Sequence, residues 1–209
     1  MRIRGIMNVT LFGLVIGLAA SRAQAIAITD VSFRIPPAVS QNASAAQQVA
    51  GNDSVAEINK LSGAFAGDTW TLLDKTDAAS TVFNNVTFTL TSVAGNKSGG
   101  WQLSWSGGGL PLNMDFVFVT KAARDWGAYL FESMNFTTAP MAGEGTFAIS
   151  WLNNGGQTPG LSHASIYGRL ANDPSQDLDP RQVPIPGSLL LLALGLGLLG
   201  QSRKGARHS

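Results

Sequence analysis

Hydrophobic and polar positions alternate with a period of two along much of the middle of the chain. Val86, Phe88 and Leu90 alternate with Thr87, Thr89 and Thr91, which puts apolar groups on one face of a strand and hydroxyls on the other. Trp101, Leu103 and Trp105 against Gln102 and Ser104 repeat the pattern, as do Phe147, Ile149 and Trp151 against Ala148 and Ser150. From Asp115 to Thr120 the run Phe116-Val117-Phe118-Val119 has no polar break and predicts a central strand covered on both faces, with Ala128 to Phe131 as a neighbour. Ile28 to Ile35 predicts a first strand closed by Pro36-Pro37, and Ser162 to Arg169 a last one.

Between these runs lie Asn84-Asn85, Gly95 to Gly100, Gly107-Gly108-Gly109 and Asn153 to Gly156, residue types that tolerate the positive φ of tight turns. Asn52-Asp53-Ser54 followed by Glu57 offers a cap and a capping box for one short helix, with Val55, Ile58 and Leu61 on one side and Gly63 to stop it. Ala38 to Ala50 has no sustained period and reads as a loop or a loose helix. Seven or eight short antiparallel strands follow, so the expected fold is all-β: an antiparallel β-sandwich or jelly-roll-like domain over residues 26–170. Residues 171–182, with Asp173-Pro174 and Asp179-Pro180 and few apolar groups, read as a flexible linker.

The two ends follow other rules. Arg2 and Arg4, an apolar stretch from about Val9 to Ala20, and the small-x-small site Ala23-Gln24-Ala25 predict a signal peptide over residues 1–25, cleaved by signal peptidase so that Ile26 begins the mature chain. An uncleaved N-terminal anchor is the plainer alternative, although the apolar run is short for a span. At the other end Val183-Pro184-Ile185-Pro186-Gly187 leads into a Leu/Gly run to Gly200, followed by Arg203, Lys204 and Arg207. Gly187 to Gly200 would make about 21 Å of helix, short of the roughly 30 Å hydrocarbon core, so a transmembrane helix needs Ile185 and its flanks as well. By the positive-inside rule the basic residues after it stay cytoplasmic and the domain lies outside.

A Val-Pro-x-Pro motif, a Leu/Gly-rich segment and a terminal Arg/Lys cluster together resemble the PEP-CTERM class of exosortase substrates, over about the last 25 residues. The resemblance implies a sorting signal over residues 183–209, recognised by a membrane-embedded exosortase-type transpeptidase that cleaves near Pro-x-Pro and releases the domain to the cell surface or extracellular matrix. Ile185 stands where Glu is typical, which is closer to the Val-Pro-Leu-Pro-Ala variant. The segment Leu161-Ser162-His163-Ala164-Ser165-Ile166-Tyr167-Gly168 also resembles a closing Leu-Ser-His-x-Ser-x-Tyr stretch common in domains with such tails. A plain C-terminal anchor, with prolines that merely start the helix, is the alternative reading of the tail.

Charge and composition narrow the function classes. The formal net charge is +1, yet every Asp and Glu lies between Asp30 and Asp179. Setting aside Arg2, Arg4, Arg22, Arg203, Lys204 and Arg207 leaves eight of the 14 basic residues against 13 acids, so the middle carries about −5. Such a domain has no electrostatic footprint for nucleic acid. The chain has no cysteine, which excludes a disulfide framework, a thiolate metal site, a Cys nucleophile and a lipidated N-terminal Cys.

Candidate chemistry in the domain is sparse, and no cofactor or metal is implied. His163 is the one histidine outside the tail, and a hydrogen-bonded place on a sheet face accounts for it as simply as a base or ligand would. On the strand reading His163, Ser165 and Tyr167 share one face, and Ser162, Ala164 and Ile166 the other. Glu132, Glu144, Asp115 and Asp125 are the candidates for a glycosidase carboxylate pair, or are solvated strand ends. Among five tryptophans, Trp101, Trp105 and Trp151 have core spacing, while Trp126, between Asp125 and Gly127 near a turn, is the candidate platform for a sugar ring. Three readings follow. The first is a non-enzymatic exported protein, anchored in the inner membrane as a precursor and then held at the surface or in an exopolysaccharide or biofilm matrix. The second is a carbohydrate-binding module built around Trp126, and the third a glycan hydrolase.

Overall fold

The computed structural model describes residues 26–171, and they form a sandwich of two antiparallel sheets. In chain order the strands are β1 Val31–Arg34, β2 Gln41–Asn42, β3 Ala45–Ala50, β4 Thr71–Lys75, β5 Val82–Phe83, β6 Val86–Ser92, β7 Ser98–Gly107, β8 Leu112–Ala122, β9 Asp125–Phe136, β10 Ala142–Ala148 and β11 His163–Leu170. One sheet has six strands in the order β2-β1-β10-β7-β6-β5, and the other five in the order β3-β9-β8-β11-β4. The predicted signal helix, the transmembrane helix, nearly all of the linker and the sorting signal lie outside the described residues. Among the described residues no helix is long and apolar enough to cross a membrane.

The alternating strands behave as their pattern dictates. Val86, Phe88, Leu90, Trp101, Leu103 and Trp105 turn inward from the six-stranded sheet, and Phe116, Phe118, Tyr129 and Phe131 meet them from the five-stranded one. The core is aromatic: the Trp101 ring stacks on Phe118 at 4.2 Å and on Phe33 at 4.8 Å. Glycine makes room for the second stack. Gly145 lies opposite both Phe33 and Trp101 in register, and a Cβ there would collide with the Trp101 ring and the Ser32 carbonyl. β10 is therefore patterned by inward glycines at 143 and 145, which hydrophobic alternation cannot reveal.

The unbroken run in β8 is buried on both faces, as expected. Its second face, with Val119, Ala128, Leu130 and Tyr167, packs under a cover formed by residues 52–70, which contributes Ile58, Leu61, Phe65 and Trp70. The helix α1 spans only Val55–Ile58, capped by Ser54, whose Oγ accepts from Glu57 N at 3.4 Å. The capping box is half made, because the Glu57 carboxylate pairs with Lys60 instead. A 3₁₀ turn, Gly63–Phe65, completes the cover, and Asn59 staples its two ends, its Oδ1 accepting from Trp70 N at 2.7 Å.

Several expectations are corrected. Ala38 to Ala50 is neither loop nor helix but holds β2 and the edge strand β3, which pairs with β9 from Ala45↔Leu130 to Ala50↔Asp125. Backbone ladder bonds, not side-chain burial, define that edge, so its Ala and Gln residues show no period. The strand expected over Phe147 to Trp151 ends at Ala148, and Ile149 and Trp151 are buried from the loop that follows. Gly99 and Gly100 belong to β7 rather than to a turn.

Candidate functional site

Every outward side chain of β11 from His163 to Arg169 fastens the cover. His163 Nε2 donates to the two Asp53 carboxylate oxygens at 2.9 and 3.0 Å, Ser165 Oγ donates to Asp53 Oδ2 at 2.6 Å, and the Tyr167 hydroxyl donates to the Asp53 carbonyl. Asp53 sits just before the helix cap and is 7% exposed. Burial by itself would raise its pKa, but the hydrogen bonds from His163 and Ser165 and the charge of His163 outweigh burial and hold it at about 2. Tyr167, by contrast, is pushed up by burial and by the Asp53 charge. Lys121 Nζ closes the same corner, donating to the carbonyls of Gly51 at 2.7 Å and Ala123 at 3.0 Å.

At the far end of the strand, Arg169 Nε donates to Asp115 Oδ2 at 3.1 Å, and Nη1 to the carbonyls of Ala66 at 2.8 Å and Phe65 at 3.3 Å. Its guanidinium lies 4.2 Å from the centroid of the Trp70 ring. Asp115 is fixed in turn by Ser133 N at 2.9 Å, where β8 and β9 shift register and Ser133 takes a positive φ. His163, Ser165, Tyr167 and Arg169 thus share one structural task, holding residues 52–70 down on the sheet.

This arrangement differs from a Ser-His-Asp triad. Catalysis needs the serine hydroxyl bonded to the histidine, whereas here both Ser165 and His163 donate to the same carboxylate. The alternation expected for β11 holds, with Ala164 and Ile166 in the main core. The four candidate carboxylates are scattered. Asp115 faces the cover and is paired with Arg169, whereas Glu144 lies on the outer side of the other sheet, paired with Arg34 through Nε at 2.8 Å. Asp125 Oδ2 accepts from Gln48, and Glu132 is exposed on β9. Among the described residues no cluster of His, Cys, Asp and Glu could hold a metal ion.

Trp126 is a correction. It is 0% exposed and packs with Ile58, Val119 and Leu130 beneath the cover, so its ring offers no platform to a sugar. Asp125 and Gly127 beside it had suggested an open turn. The strand continues through all three, and burial of alternate residues on the covered face takes the indole inward.

An open concavity of about 570 Å³ lies elsewhere, on the outer face of the six-stranded sheet. Two rows of polar residues cross the strands there in register. One row runs Thr91, Gln102, Glu144, Arg34, and the other Gly100, Thr146, Ser32. The Ser32 and Thr146 hydroxyls bond each other at 2.8 Å. Gly100 makes the floor, because it carries no side chain there and a Cβ built on it would meet only the Gly145 carbonyl, at 3.7 Å. A smaller cavity of about 260 Å³ adjoins the β8–β9 turn between Arg124, Asp125 and Trp151, but its Asn153 Oδ1 is taken up by the loop amides of Gly155 and Gln157. The sequence reading missed the groove because Thr91, Gln102 and Thr146 look like ordinary solvated strand positions until four strands are set side by side. Comparison with family models, with curated proteins and with solved structures returns no match.

Proposed function

We propose that this chain is a non-enzymatic exported protein, delivered by its N-terminal signal and sorted through its PEP-CTERM-like tail to the cell surface or an exopolysaccharide matrix. The observation that carries the reading is the order of sequence signals: Ala23-Gln24-Ala25 before the domain, and Val183-Pro184-Ile185-Pro186-Gly187, a Leu/Gly run and Arg203, Lys204 and Arg207 after it. Two features of the fold support it. The first strand of the sandwich begins at Val31, a few residues past the proposed signal-peptidase site after Ala25, and its last strand ends at Leu170, ahead of the Pro-rich stretch. His163 and Ser165 of the closing motif, and Arg169 just after it, are committed to Asp53 and Asp115.

Intact-mass spectrometry of the protein from its native host, in membrane and extracellular fractions, tests this. A species beginning near Ile26 and ending near Pro186 is expected. An intact C-terminus through Ser209 in every fraction, or a tail-deleted protein distributed like the wild type, would overturn sorting.

A second reading, carbohydrate binding, is favoured by the in-register polar rows of the six-stranded sheet rather than by Trp126.

A further inference from the structure

We infer that the groove across β6, β7, β10 and β1 binds a segment of a neutral polysaccharide, lying across the strands with its hydroxyls on the Thr91-Gln102-Glu144-Arg34 row. The inference rests on the second reading above and supplies its site and ligand class.

Three observations carry it. The first is chemical. Directly opposed in register, the row offers a hydroxyl, an amide, a carboxylate and a guanidinium, which together donate to and accept from the hydroxyl pairs of a polyol. The second is shape. An outward sheet face is ordinarily filled by its own side chains, but Gly100 leaves a gap in β7, so the volume of about 570 Å³ lies within the range of small-ligand sites. Four strands at their usual spacing give a row about 14 Å long, enough for an oligosaccharide stretch.

The third is charge. Arg34 and Glu144 neutralise each other inside the groove, both about half exposed (46% each), and the middle of the chain is acidic, so the site has no surplus cation to hold a uronate or sulfated polymer. Val93 is the one large aliphatic side chain on the rim, which argues against an apolar peptide as the occupant. Strand-borne side chains are also pre-positioned, so little ordering cost is incurred on binding. With no aromatic ring open on this face, single-site binding is weak, and retention depends on the repeated units of a polymer.

The test is affinity electrophoresis of the full-length protein in non-ionic detergent, through native gels containing neutral glucans, galactans or mannans, and in parallel through gels containing a polyuronate. Gly100→Phe fills the floor, its Cβ meeting the neighbouring strand only at ordinary van der Waals distance from the Gly145 carbonyl, and Gln102→Ala removes the central amide. Thermal melts confirm that both variants stay folded.

Retardation by at least one neutral polymer, none by the polyuronate, and a tenfold or greater loss of retention in both variants are expected. No retardation by any neutral polymer, stronger retardation by the polyuronate, or unchanged retention in folded Gly100→Phe would overturn the inference. Retardation that stays unchanged in folded Gly100→Phe and Gln102→Ala overturns this groove and leaves carbohydrate binding standing, whereas no retardation by any neutral polymer overturns both.

Discussion

Replacing Asp53 with Asn isolates the polar clamp between the cover and the last strand. The carboxylate accepts from His163 Nε2 and Ser165 Oγ at once, while an amide of the same shape keeps one acceptor oxygen and turns its NH₂ toward a donor. Folding takes the Asp53 carboxyl from its ordinary 3.8 to about 2, which at about 1.4 kcal/mol per tenfold change in proton affinity corresponds to stability on the order of 2 kcal/mol. Since the folded pKa is the lower one, this contribution is fully present above pH 3.8, declines as the pH falls toward 2, and is gone below it. Asp53→Asn should therefore lower unfolding stability at pH 7 by about 2 kcal/mol, or the melting temperature by roughly 6–8 °C for a domain of this size.

The assay is urea unfolding of both proteins at a series of pH values from 7 to 2.5, compared as a difference so that carboxylates common to both cancel. The gap should hold steady down to about pH 4 and then close. A variant within about 0.5 kcal/mol of wild type at pH 7, or a gap that stays constant to pH 2.5, would refute the clamp.

Two further substitutions test the other fastenings. Arg169→Met leaves Asp115 buried without its cation and the Ala66 carbonyl without its donor, so it should cost about 3–5 kcal/mol; hydrogen exchange should show residues 52–70 losing protection first, and uniform loss across both sheets would contradict the cover as a separate layer. Trp126→Ala should cost about 3–5 kcal/mol through the cavity it leaves, while polysaccharide retention of the folded fraction stays unchanged. A stable Trp126→Ala protein that lost retention would restore the indole as the sugar platform.

How much was legible in the sequence depends on what each strand packs against. β6, β7 and β8 could be read directly, because strict alternation or an unbroken apolar run follows from burial on one face or two. β10 was legible only in part, since Gly143 and Gly145 face inward to accommodate rings from neighbouring strands and contribute no hydrophobic signal of their own. β3 was invisible, because an edge strand of Ala and Gln is defined by its ladder partner. For the clamp, alternation places His163, Ser165 and Tyr167 on one face, but their partner Asp53 lies 110 residues from His163, in a stretch whose own pattern signals a helix start.

The sequence by itself determined what local physics can encode: strand periodicity, turn chemistry, the start of the short helix, and the export and sorting signals proposed for the two ends. Only the tertiary structure decided which polar groups serve the fold and which remain open to a ligand. Trp126 and His163 were candidates because their residue types are versatile, and both are taken up by the cover over the five-stranded sheet. The groove on the opposite side exists because Thr91, Gln102, Glu144 and Arg34, far apart along the chain, come into register across four strands. Register depends on pairing between distant segments, and no single stretch of the chain carries that information.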